Sequence, residues 1–383
     1  MVRTRIPHYI LLILLSCCLG CDNKTQVEDS QDEFRSYKID LHGDKTAFVD
    51  LIQSIEITRL EETEESLLRY VGQVEFYQDK MIIPSSSDGT IYIYSQNGEY
   101  ISKFNRKGDG PEEYSKWANV WLEDGLICVH IRGKSINRYD LEGNFISQDL
   151  LNEYANHIYP YKSGYAIDKH LLYTQDSLKY TIVTVDDRMK INQKLLPFEK
   201  VPGFRSPQFR NSFLKAGDDL LYLPKMSDTV YRFTEDSVEP FIHYDFQDDW
   251  YFQPGVNVEP NFYEKSSRNK KVWFVLNYVG EKLIYLYTTL GPRMSYSFLV
   301  DRATDKSVSI DLNTSAGEAM DLSWIGWQKD QFLVTLTPSQ LMDLMGQLDQ
   351  TQYSFTEGTT LEEIEDSENP VLVRATLKSS NQW

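Results

Sequence analysis

The sequence predicts an all-β protein, and within that class a six-bladed β-propeller. Three observations support this prediction: many aromatic residues, a repeated pair of β runs, and a hairpin signal before each repeat. Aromatic residues make up 13% of the 383 residues, and 25 residues are Tyr, which favours strands over helix bundles. A chain of this length forms either two or three domains or one large all-β domain.

The repeated unit is a short β run, a polar turn and a second β run, as in "TIYIYSQNGEYISKF" from Thr90. It occurs five times, with a spacing of roughly 40–50 residues between the first four copies and a longer spacing before the fifth. Repeats of this length with four strands each are the signature of a β-propeller. In every copy the first run ends at a polar residue, namely Ser95, Asp140, Asp186, Thr234 or Asp301.

Two more apolar runs precede each copy, joined by a turn that contains Gly or Asp. Examples are "QVEFYQDKMIIPS" before the first copy and "ANVWLEDGLICVHI" before the second. Such a turn between two apolar runs is a hairpin signal. Each repeat is therefore expected to form a four-stranded meander, which is one blade.

A sixth blade with a short helical insertion is predicted at the C-terminus. Residues 322–337 supply two strands and residues 369–378 supply a third. Between them, Thr337 is the expected N-cap of a helix, Pro338 occupies its first position, and Gln340 completes a capping box. The expected apolar face of this helix consists of Leu341, Leu344, Met345 and Leu348.

The fourth strand of the sixth blade has no local candidate in the sequence. Residues 54–61, "SIEITRLE", have a suitable β pattern, and we expect them to complete the sixth blade and close the ring. This closure pairs backbone groups that an open sheet edge would leave free. The predicted propeller therefore spans residues 48–383.

The N-terminus has the pattern of a bacterial export signal. Two arginines precede an apolar run, residues 9–19, that is too short for an ordinary transmembrane helix. The run ends in Cys and polar sequence follows it, which resembles a lipoprotein signal. We predict that residues 1–20 are a lipoprotein signal peptide and that Cys21 is lipidated, with Cys17 as the alternative. A lipid-modified Cys would anchor the chain in a membrane of the cell envelope.

Residues 21–47 are polar with few large apolar side chains, and they are predicted to form a flexible tether between the lipid and the propeller. With Cys21 lipidated, Cys128 is the one free thiol left in the mature chain, so a disulfide framework is excluded. Cys128 lies in the apolar run "GLICVHI" and is expected to be a small buried core residue.

Two stretches, "YSQNGEYISKFNRKGDGPEEY" and "ENPVLVRATLK", resemble the six-bladed β-propeller lipoproteins of Bacteroidota. The most specific part is the loop pattern G-x-GPxEY between two strands, and the resemblance covers residues 48 to 378 and the lipoprotein signal. It implies a six-bladed propeller in the cell envelope, at the periplasmic or surface face of the outer membrane, and no settled activity. Many relatives have Gly after the loop Pro, whereas this chain has Glu112, so the turn is expected to differ slightly.

The insertion between blades four and five is the best candidate for a ligand-facing surface. Aromatic side chains there alternate with Asp and Asn, and flat apolar faces beside hydrogen-bonding groups suit a sugar. The alternative is a long loop packed by its own aromatic residues onto the propeller. The candidate ligand-binding residues are Asp248, Asp249, Trp250, Tyr251, Phe252, Asn257 and Tyr263.

The loop "NRKGDGPEEY", residues 105–114, either turns the corner between blades one and two or contacts a cation or ligand. Gly108 and Gly110 permit a positive φ, and Tyr114 can pack under the loop, which favours the corner. The spacing of its carboxylates lacks the alternating oxygen ligands of an EF-hand loop. The side chains available for a contact are Asp109, Glu112 and Glu113.

Charge and motifs exclude several classes of function. The net charge is −18, and no Lys/Arg cluster offers the basic face that a nucleic-acid phosphate backbone needs. The histidines lack metal-ligand spacing, and nucleophile, nucleotide and dinucleotide motifs are absent from the sequence. Four Trp residues on or near the predicted inner strands are expected to fill space between blades: Trp117, Trp121, Trp324 and Trp327.

Two hypotheses of function follow. The first is a monomeric, envelope-anchored binding or scaffold module, without a cofactor, for a carbohydrate, a peptide or an envelope protein. The alternative is an envelope hydrolase or lyase with a carboxylate and Ca²⁺ site at the mouth of the propeller channel. Chain-distant carboxylates can converge there in a closed ring, and the fold alone does not decide between the two hypotheses.

Overall fold

Six sheets arranged as the blades of a propeller make up the computed structural model of this protein. The structure describes residues 33–199, 211–253, 268, 270–291, 294–314 and 316–383. Each blade is built on four antiparallel strands, and in blades 1 to 5 these four follow one another along the chain as a meander. The predicted all-β, six-bladed architecture is therefore confirmed.

The strands are numbered along the chain. The N-terminal segment contains β1 (Arg35–Lys38), β2 (Lys45–Ala47), α1 (Phe48–Leu51) and β3 (Ile52–Arg59). Blade 1 contains β4 (Glu75–Tyr77), β5 (Lys80–Ser85), β6 (Thr90–Ser95) and β7 (Tyr100–Asn105). Blade 2 contains β8 (Trp117–Glu123), β9 (Leu126–Ile131), β10 (Ser135–Tyr139) and β11 (Phe145–Leu150). Blade 3 contains β12 (His157–Tyr161), β13 (Gly164–Asp168), β14 (Tyr180–Val185) and β15 (Ile191–Pro197).

The second half of the ring follows the same plan. Blade 4 contains β16 (Phe213–Ala216), β17 (Asp219–Tyr222), β18 (Thr229–Phe233) and β19 (Val238–Asp245). Blade 5 contains β20 (Val272–Val279), β21 (Leu283–Leu290), β22 (Met294–Asp301) and β23 (Ser307–Asp311). Blade 6 contains β24 (Ile325–Gln328), β25 (Gln331–Leu336) and β27 (Val371–Leu377), together with β3. Between β25 and β27 lie α2 (Pro338–Gly346), β26 (Tyr353–Phe355) and α3 (Leu361–Glu365).

The meander determines which loops share a face of the ring. Every innermost strand starts at the same end, so the loops that lead into these strands lie on one face with the loops between second and third strands. We call this the long-loop face, and it carries residues 60–74, 106–116 and 337–370. The opposite face, which we call the hairpin face, carries short turns such as residues 96–99.

The ring closes through β3, as the sequence predicts. This strand pairs antiparallel with β27 and becomes the fourth strand of blade 6. Ile57 lies opposite Val373 in the ladder, and the two side chains are 0% and 1% exposed. The closure therefore joins the two ends of the propeller by both backbone hydrogen bonds and apolar burial.

The N-terminal segment before β3 is part of the propeller, and this moves the expected boundary. Residues 35–47, assigned above to a flexible tether, form β1 on the outer edge of blade 4 and β2 on the outer edge of blade 5, both in parallel pairing. Tyr37 and Ile39 are buried against these blades, at 1% and 3% exposure. The propeller thus includes residues 35–47 and does not start at residue 48, and the buried side chains of Tyr37, Ile39 and Leu41 alternate with exposed ones along this segment.

The core lies between the blades. Its buried apolar residues form six clusters, and each cluster joins two consecutive blades of the ring. The cluster between blades 6 and 1 brings Leu372 and Trp324 together with Met81 and Tyr94. Cys128 is a buried free thiol in the cluster between blades 2 and 3, as expected, and burial raises its pKa to about 12.

The polar residue that marks each sequence repeat closes the hairpin between the third and fourth strands. In all five repeats its side-chain oxygen accepts a hydrogen bond from a backbone N–H of the turn, at 2.8 to 3.2 Å. Ser, Thr and Asp are suited to such turns because their short side chains reach backbone groups a few residues away. The repeat is therefore a turn signal. The residues are Ser95, Asp140, Asp186, Thr234 and Asp301.

The helical insertion of blade 6 has the predicted capping box. The Thr337 side chain accepts from the Gln340 backbone N–H, and the Gln340 side chain accepts from the Thr337 backbone N–H. Pro338 occupies the first turn, where its missing N–H is not needed. The expected apolar face, formed by Leu341, Leu344, Met345 and Leu348, packs into the cluster between blades 5 and 6.

Replacing Tyr37 tests whether residues 35–47 belong to the folded domain. We expect Tyr37→Ala to lower the free energy of unfolding by about 3 kcal/mol, because the ring is buried against blade 4. The matched control is the exposed neighbour, Lys38→Ala, which should change stability by less than about 0.5 kcal/mol. Denaturant unfolding curves give both values. Equal stability of the two variants would mean that the segment is a tether after all.

Candidate functional site

A central channel with a volume of about 590 Å³ lies between the innermost strands of the six blades. Its lining includes residues from β4, β8, β12, β16, β20 and β24. This volume falls in the range of about 300–1,000 Å³ that is common for small-molecule sites. Because the innermost strands are far apart in the sequence, the channel is where chain-distant side chains meet.

Aromatic residues are numerous among those that line the channel, although Trp121 and Phe213 are only 4% exposed and belong mainly to the core between blades. Two indoles are held by hydrogen bonds to the backbone: Nε1 of Trp273 donates to the Gly291 carbonyl, and Nε1 of Trp327 donates to the Tyr278 carbonyl, both at 2.9 Å. Such bonds orient the rings and leave little rotational freedom. The aromatic lining residues are Phe76, Trp121, Tyr159, Phe213, Trp273, Phe274, Tyr278, Trp324 and Trp327.

Of the four Trp residues expected to fill space between blades, three line the channel. Trp121, Trp324 and Trp327 are among its wall residues, although each also packs on neighbouring side chains. Trp117 is absent from the described lining and lies edge-on to Tyr114, with 5.1 Å between ring centroids. Trp117 therefore packs on its neighbours as expected, whereas the other three pack on their neighbours and also line the channel.

Glu75 places a carboxyl group in the channel wall. Its Oε1 accepts a hydrogen bond from Nε2 of Gln73 at 2.8 Å. The surrounding protein removes most of the water that would stabilise a carboxylate, and this burial raises the pKa of Glu75 to about 7. Burial raises the pKa of Tyr159 to about 12, and the charge of Glu75 adds to that increase, so the two groups lie close together. Glu75 consequently changes its charge near neutral pH.

A buried polar layer supports two of the channel-lining residues at the long-loop face. Oδ1 of Asn119 lies 3.1 Å from Nδ1 of His130, and Nδ2 of Asn119 donates to the Ile158 carbonyl at 3.3 Å. Burial lowers the pKa of His130 to about 3, so its ring stays neutral. Ser212 is supported in a similar way, since its Oγ donates to Oδ2 of Asp168 at 2.8 Å.

Ser212, His157 and Asp168 are the residue types of a catalytic triad, but their geometry is different. In a triad the Ser and the Asp bond to opposite nitrogens of the imidazole ring. Here the Ser212 hydroxyl and the Asp168 carboxylate both face Nδ1 of His157, at 3.0 and 3.5 Å. The three side chains are at most 4% exposed. This arrangement orients Ser212 and does not activate it as a nucleophile.

The structure corrects the expected role of Trp250. Its side chain is 7% exposed and belongs to the core between blades 4 and 5. The ring stacks on Phe246, with 5.8 Å between the ring centroids, and meets Phe252 edge-on, with 5.4 Å between the centroids. It is therefore a packing residue, as the alternative interpretation of the insertion expected, because burial removes the large apolar surface of the indole from water.

The other residues predicted at the insertion have different positions. Asp248 is exposed. Tyr251 and Phe252 are half-buried, and their rings lie edge to face with 5.2 Å between the centroids. Asp249 lies 3.1 Å from Nε2 of His42, so it links the insertion to the N-terminal segment. None of these side chains is among the described residues that line the channel. Asn257 and Tyr263 lie outside the described residues.

The loop at residues 105–114 turns a corner on the long-loop face. Tyr114 is 1% exposed beneath it, and the Tyr114 hydroxyl donates to the Gly89 carbonyl at 2.9 Å. Oε2 of Glu113 accepts the Gly110 N–H at 2.8 Å. The carboxylate of Glu113 is thus used within the loop, while Asp109 and Glu112 remain partly or fully exposed.

The glycines of this loop allow the Glu113 carboxylate to come close to the backbone, and they do not adopt a positive φ. Neither Gly108 nor Gly110 has a positive φ. A Cβ placed on Gly108 would lie 1.9 Å from Oε2 of Glu113, closer than atoms can approach. A larger residue at position 108 would therefore require the exposed Glu113 side chain to move away from the loop.

The predictions about a metal and a membrane can be compared with the described residues, whereas the lipidation prediction concerns residues outside them. Within it, no three His, Cys, Asp or Glu side chains lie close enough together to hold a metal ion. Its helices include none that is long and apolar enough to cross a membrane. Cys17 and Cys21 lie outside the described residues, so the lipidation prediction stays a prediction.

Sequence reasoning missed the channel residues as a group. The available signal was a set of polar residues in the first of the two apolar runs that precede a copy of the repeat, where an inner strand ought to be apolar. Examples are Gln73, Glu75, Asn119 and Asn277. An interruption of an apolar run by a polar residue marks a position that faces something other than the core.

The fold and the channel define a six-bladed β-propeller with an aromatic central cavity. The family model for "Domain of unknown function (DUF4934)" matches residues 37–376, and the chain belongs to this family. None of the curated protein sequences matches this chain.

Two solved structures match this chain, and the first of them is similar in fold. A protein of Bacteroides fragilis NCTC 9343, described as exported, superposes with a TM-score of 0.69 at 16% identity, covering 90% of this chain and 99% of its own. A member of the DUF4221 family from Bacteroides vulgatus has a TM-score of 0.48 at 8% identity, covering 86% of this chain and 97% of its own.

Replacing Glu75 tests the unusual carboxyl group in the channel. Because the pKa of Glu75 is raised in the folded state, its neutral form stabilises the fold, and that contribution is present below about pH 4.5 and lost as the pH rises through 7. Between pH 5 and 8, wild type should therefore lose about 2–3 kcal/mol relative to Glu75→Gln. Denaturant unfolding at each pH measures this difference.

The exposed carboxyl of Glu142 provides the control for this experiment. Glu142→Gln should follow wild type across the same pH range, because its side chain is in solvent on a hairpin turn. A constant stability difference between wild type and Glu75→Gln at all pH values would contradict the assigned environment of Glu75.

Proposed function

We propose that this protein is an exported, lipid-anchored binding module that holds a short carbohydrate in its central channel. The observation that carries the proposal is the composition of the channel wall, in which aromatic rings stand beside neutral hydrogen-bonding side chains. Sugar rings present apolar C–H faces and hydroxyl edges, so they suit flat aromatic surfaces with polar groups between them. The module acts as a monomer.

Polar groups in the wall supply directional contacts. Gln73, Asn119, Ser212 and Asn277 line the channel, and the first three are oriented by further hydrogen bonds. A side chain that is already oriented loses less entropy when a ligand hydroxyl bonds to it. This support favours a bound ligand of defined shape over loose adsorption.

The proposed location follows from the sequence of the N-terminus. Cleavage before Cys21, or before Cys17 as the alternative, would leave a lipidated Cys followed by a polar linker up to the first strand. The similar fold described as exported is consistent with an envelope address. We place the propeller at the outer membrane, and the leaflet is to be tested by protease accessibility in whole cells.

The channel wall supports catalysis less well than binding. Most glycoside hydrolases need two carboxyl groups on either side of the scissile bond. Among the described residues that line the channel, Glu75 is the only carboxyl group. The hydrolase and lyase hypothesis therefore lacks a second carboxyl group among the described residues that line the channel, and no Ca²⁺ role is proposed.

Removal of channel rings tests the proposal. We expect the purified protein to bind a member of a glycan array, and Trp273→Ala and Trp324→Ala each to weaken that binding at least tenfold, which corresponds to about 1.4 kcal/mol. Calorimetric titration gives the dissociation constants. The control is Phe34→Ala, which removes an aromatic ring that is 55% exposed at the perimeter and should leave affinity unchanged.

Two results would contradict the proposal. Unchanged affinity in both channel variants would place the site elsewhere, and a loss restricted to Tyr251→Ala would place it at the insertion between blades 4 and 5. Binding to no glycan on the array would argue against a carbohydrate ligand. Melting temperatures of all variants show whether a loss of affinity reflects a loss of fold.

A further inference from the structure

The carboxyl group of Glu75 has one oxygen that the described residues do not use. Glu75 begins β4, the innermost strand of blade 1, and it lines the channel. Its Oε1 accepts a hydrogen bond from Nε2 of Gln73 at 2.8 Å, whereas no described donor bonds to Oε2. A carboxyl oxygen in a cavity with little water gains free energy when a ligand donor reaches it. Oε2 of Glu75 is therefore available to a ligand.

No Lys, Arg or His of the described chain forms an ion pair with Glu75. Burial opposes its ionisation, and the hydrogen bond from Gln73 is the one interaction that favours it, so the pKa is raised to about 7. The two lysines of the lining, Lys215 and Lys225, belong to blade 4, which faces blade 1 across the ring of six. A carboxyl group in such surroundings is stable when it is protonated or when a cation pairs with it.

Tyr159 provides a second polar group close to Glu75. Tyr159 lies on β12, the innermost strand of blade 3, and it also lines the channel. The charge of Glu75 acts on the Tyr159 phenol although blade 2 separates their blades, so the two side chains approach each other across the channel. Within the described chain, no hydrogen bond is formed by the Tyr159 hydroxyl. A phenol oxygen can accept a hydrogen bond, so both groups can bond to one ligand donor.

Two properties of the protein favour a cation over a neutral donor at this position. The first is the aromatic wall, because the faces of Trp and Tyr rings attract cations. Trp324 lines the channel and packs in the cluster between blade 6 and blade 1, the blade that carries Glu75. The second is the net charge of −18, which attracts a positively charged ligand over a longer distance.

We propose that the ligand is an amino-substituted saccharide whose ammonium group binds between the carboxylate of Glu75 and the hydroxyl of Tyr159. This inference rests on the proposed carbohydrate function and specifies its ligand class. The ammonium group donates to Oε2 of Glu75 and to Oη of Tyr159, and the apolar sugar faces lie against the aromatic wall. Hydrogen bonds between charged groups are roughly twice as strong as neutral ones, so the amino group determines specificity.

Matched oligosaccharides that differ in one substituent test this inference. Suitable pairs are β-1,4-linked glucosamine with β-1,4-linked glucose, and α-1,4-linked galactosamine with α-1,4-linked galactose, each of equal length. In both pairs an ammonium group replaces a hydroxyl group of similar size. We expect the full-length protein to bind the amino member of at least one pair at least about tenfold more tightly than the neutral member. Calorimetric titration at a pH where the amine is protonated gives both dissociation constants.

Three variants locate the source of this preference. Glu75→Gln keeps the shape and removes the charge, and it should reduce the preference for the amino member to less than about threefold. Tyr159→Phe removes the hydroxyl alone and should reduce the preference by a smaller factor. The control is Glu142→Gln, which removes an equal charge from an exposed hairpin turn and should keep the full preference. Melting temperatures show whether each variant remains folded.

The outcomes distinguish this inference from the function on which it rests. Equal binding of both members of every pair would overturn the ammonium site and leave the carbohydrate function standing. A preference that persists in Glu75→Gln would overturn the assignment to this carboxyl group. An equal loss of preference in Glu142→Gln would mean that net charge selects the ligand and would also overturn it. Binding of no glycan, in the pairs or on the array, would contradict both proposals.

Discussion

The pairing of β3 with β27 is the constraint on which the rest of the structure depends. It joins strands about 300 residues apart. Closing a loop of this length costs chain entropy, and the contacts of the final blade must offset that cost. Ile55, Ile57 and Val373 provide those contacts in the cluster between blades 5 and 6. Without this pairing, blade 6 would have three strands and an open edge, and the contact of blade 6 with blade 1 would rest on side-chain packing such as that of Leu372 and Trp324 on Met81 and Tyr94.

Closure also creates the channel, since the innermost strands meet around it only in a complete ring. Residues from all six blades then share one wall, and a buried layer at the long-loop face orients Asn119 and Ser212 within it. The N-terminal segment reinforces this arrangement from outside through β1 and β2. The proposed binding in the channel would therefore depend on the same contacts that make the ring stable.

The sequence predicts the blades well because their signals are local. Turn residues such as Asp140 and Asp186 bond to the backbone within their own hairpin, so the pattern repeats wherever a hairpin repeats. The sequence does not predict the strand β1, because β1 pairs with β19, about 200 residues later, and no local pattern indicates that partner. The sequence leaves open whether Trp250 faces a ligand or packs on the propeller, because a run of aromatic residues does not show which ring faces the core.

Hydrogen exchange of the backbone amides tests ring closure most directly. If β3 is the fourth strand of blade 6, its amides should exchange as slowly as those of β27, because both are released only when the ring opens. The segment from β1 to β2 should show intermediate protection, since it covers the outer edges of blades 4 and 5. Rapid exchange of residues 52–59, while residues 371–377 stay protected, would contradict closure by the N-terminal strand.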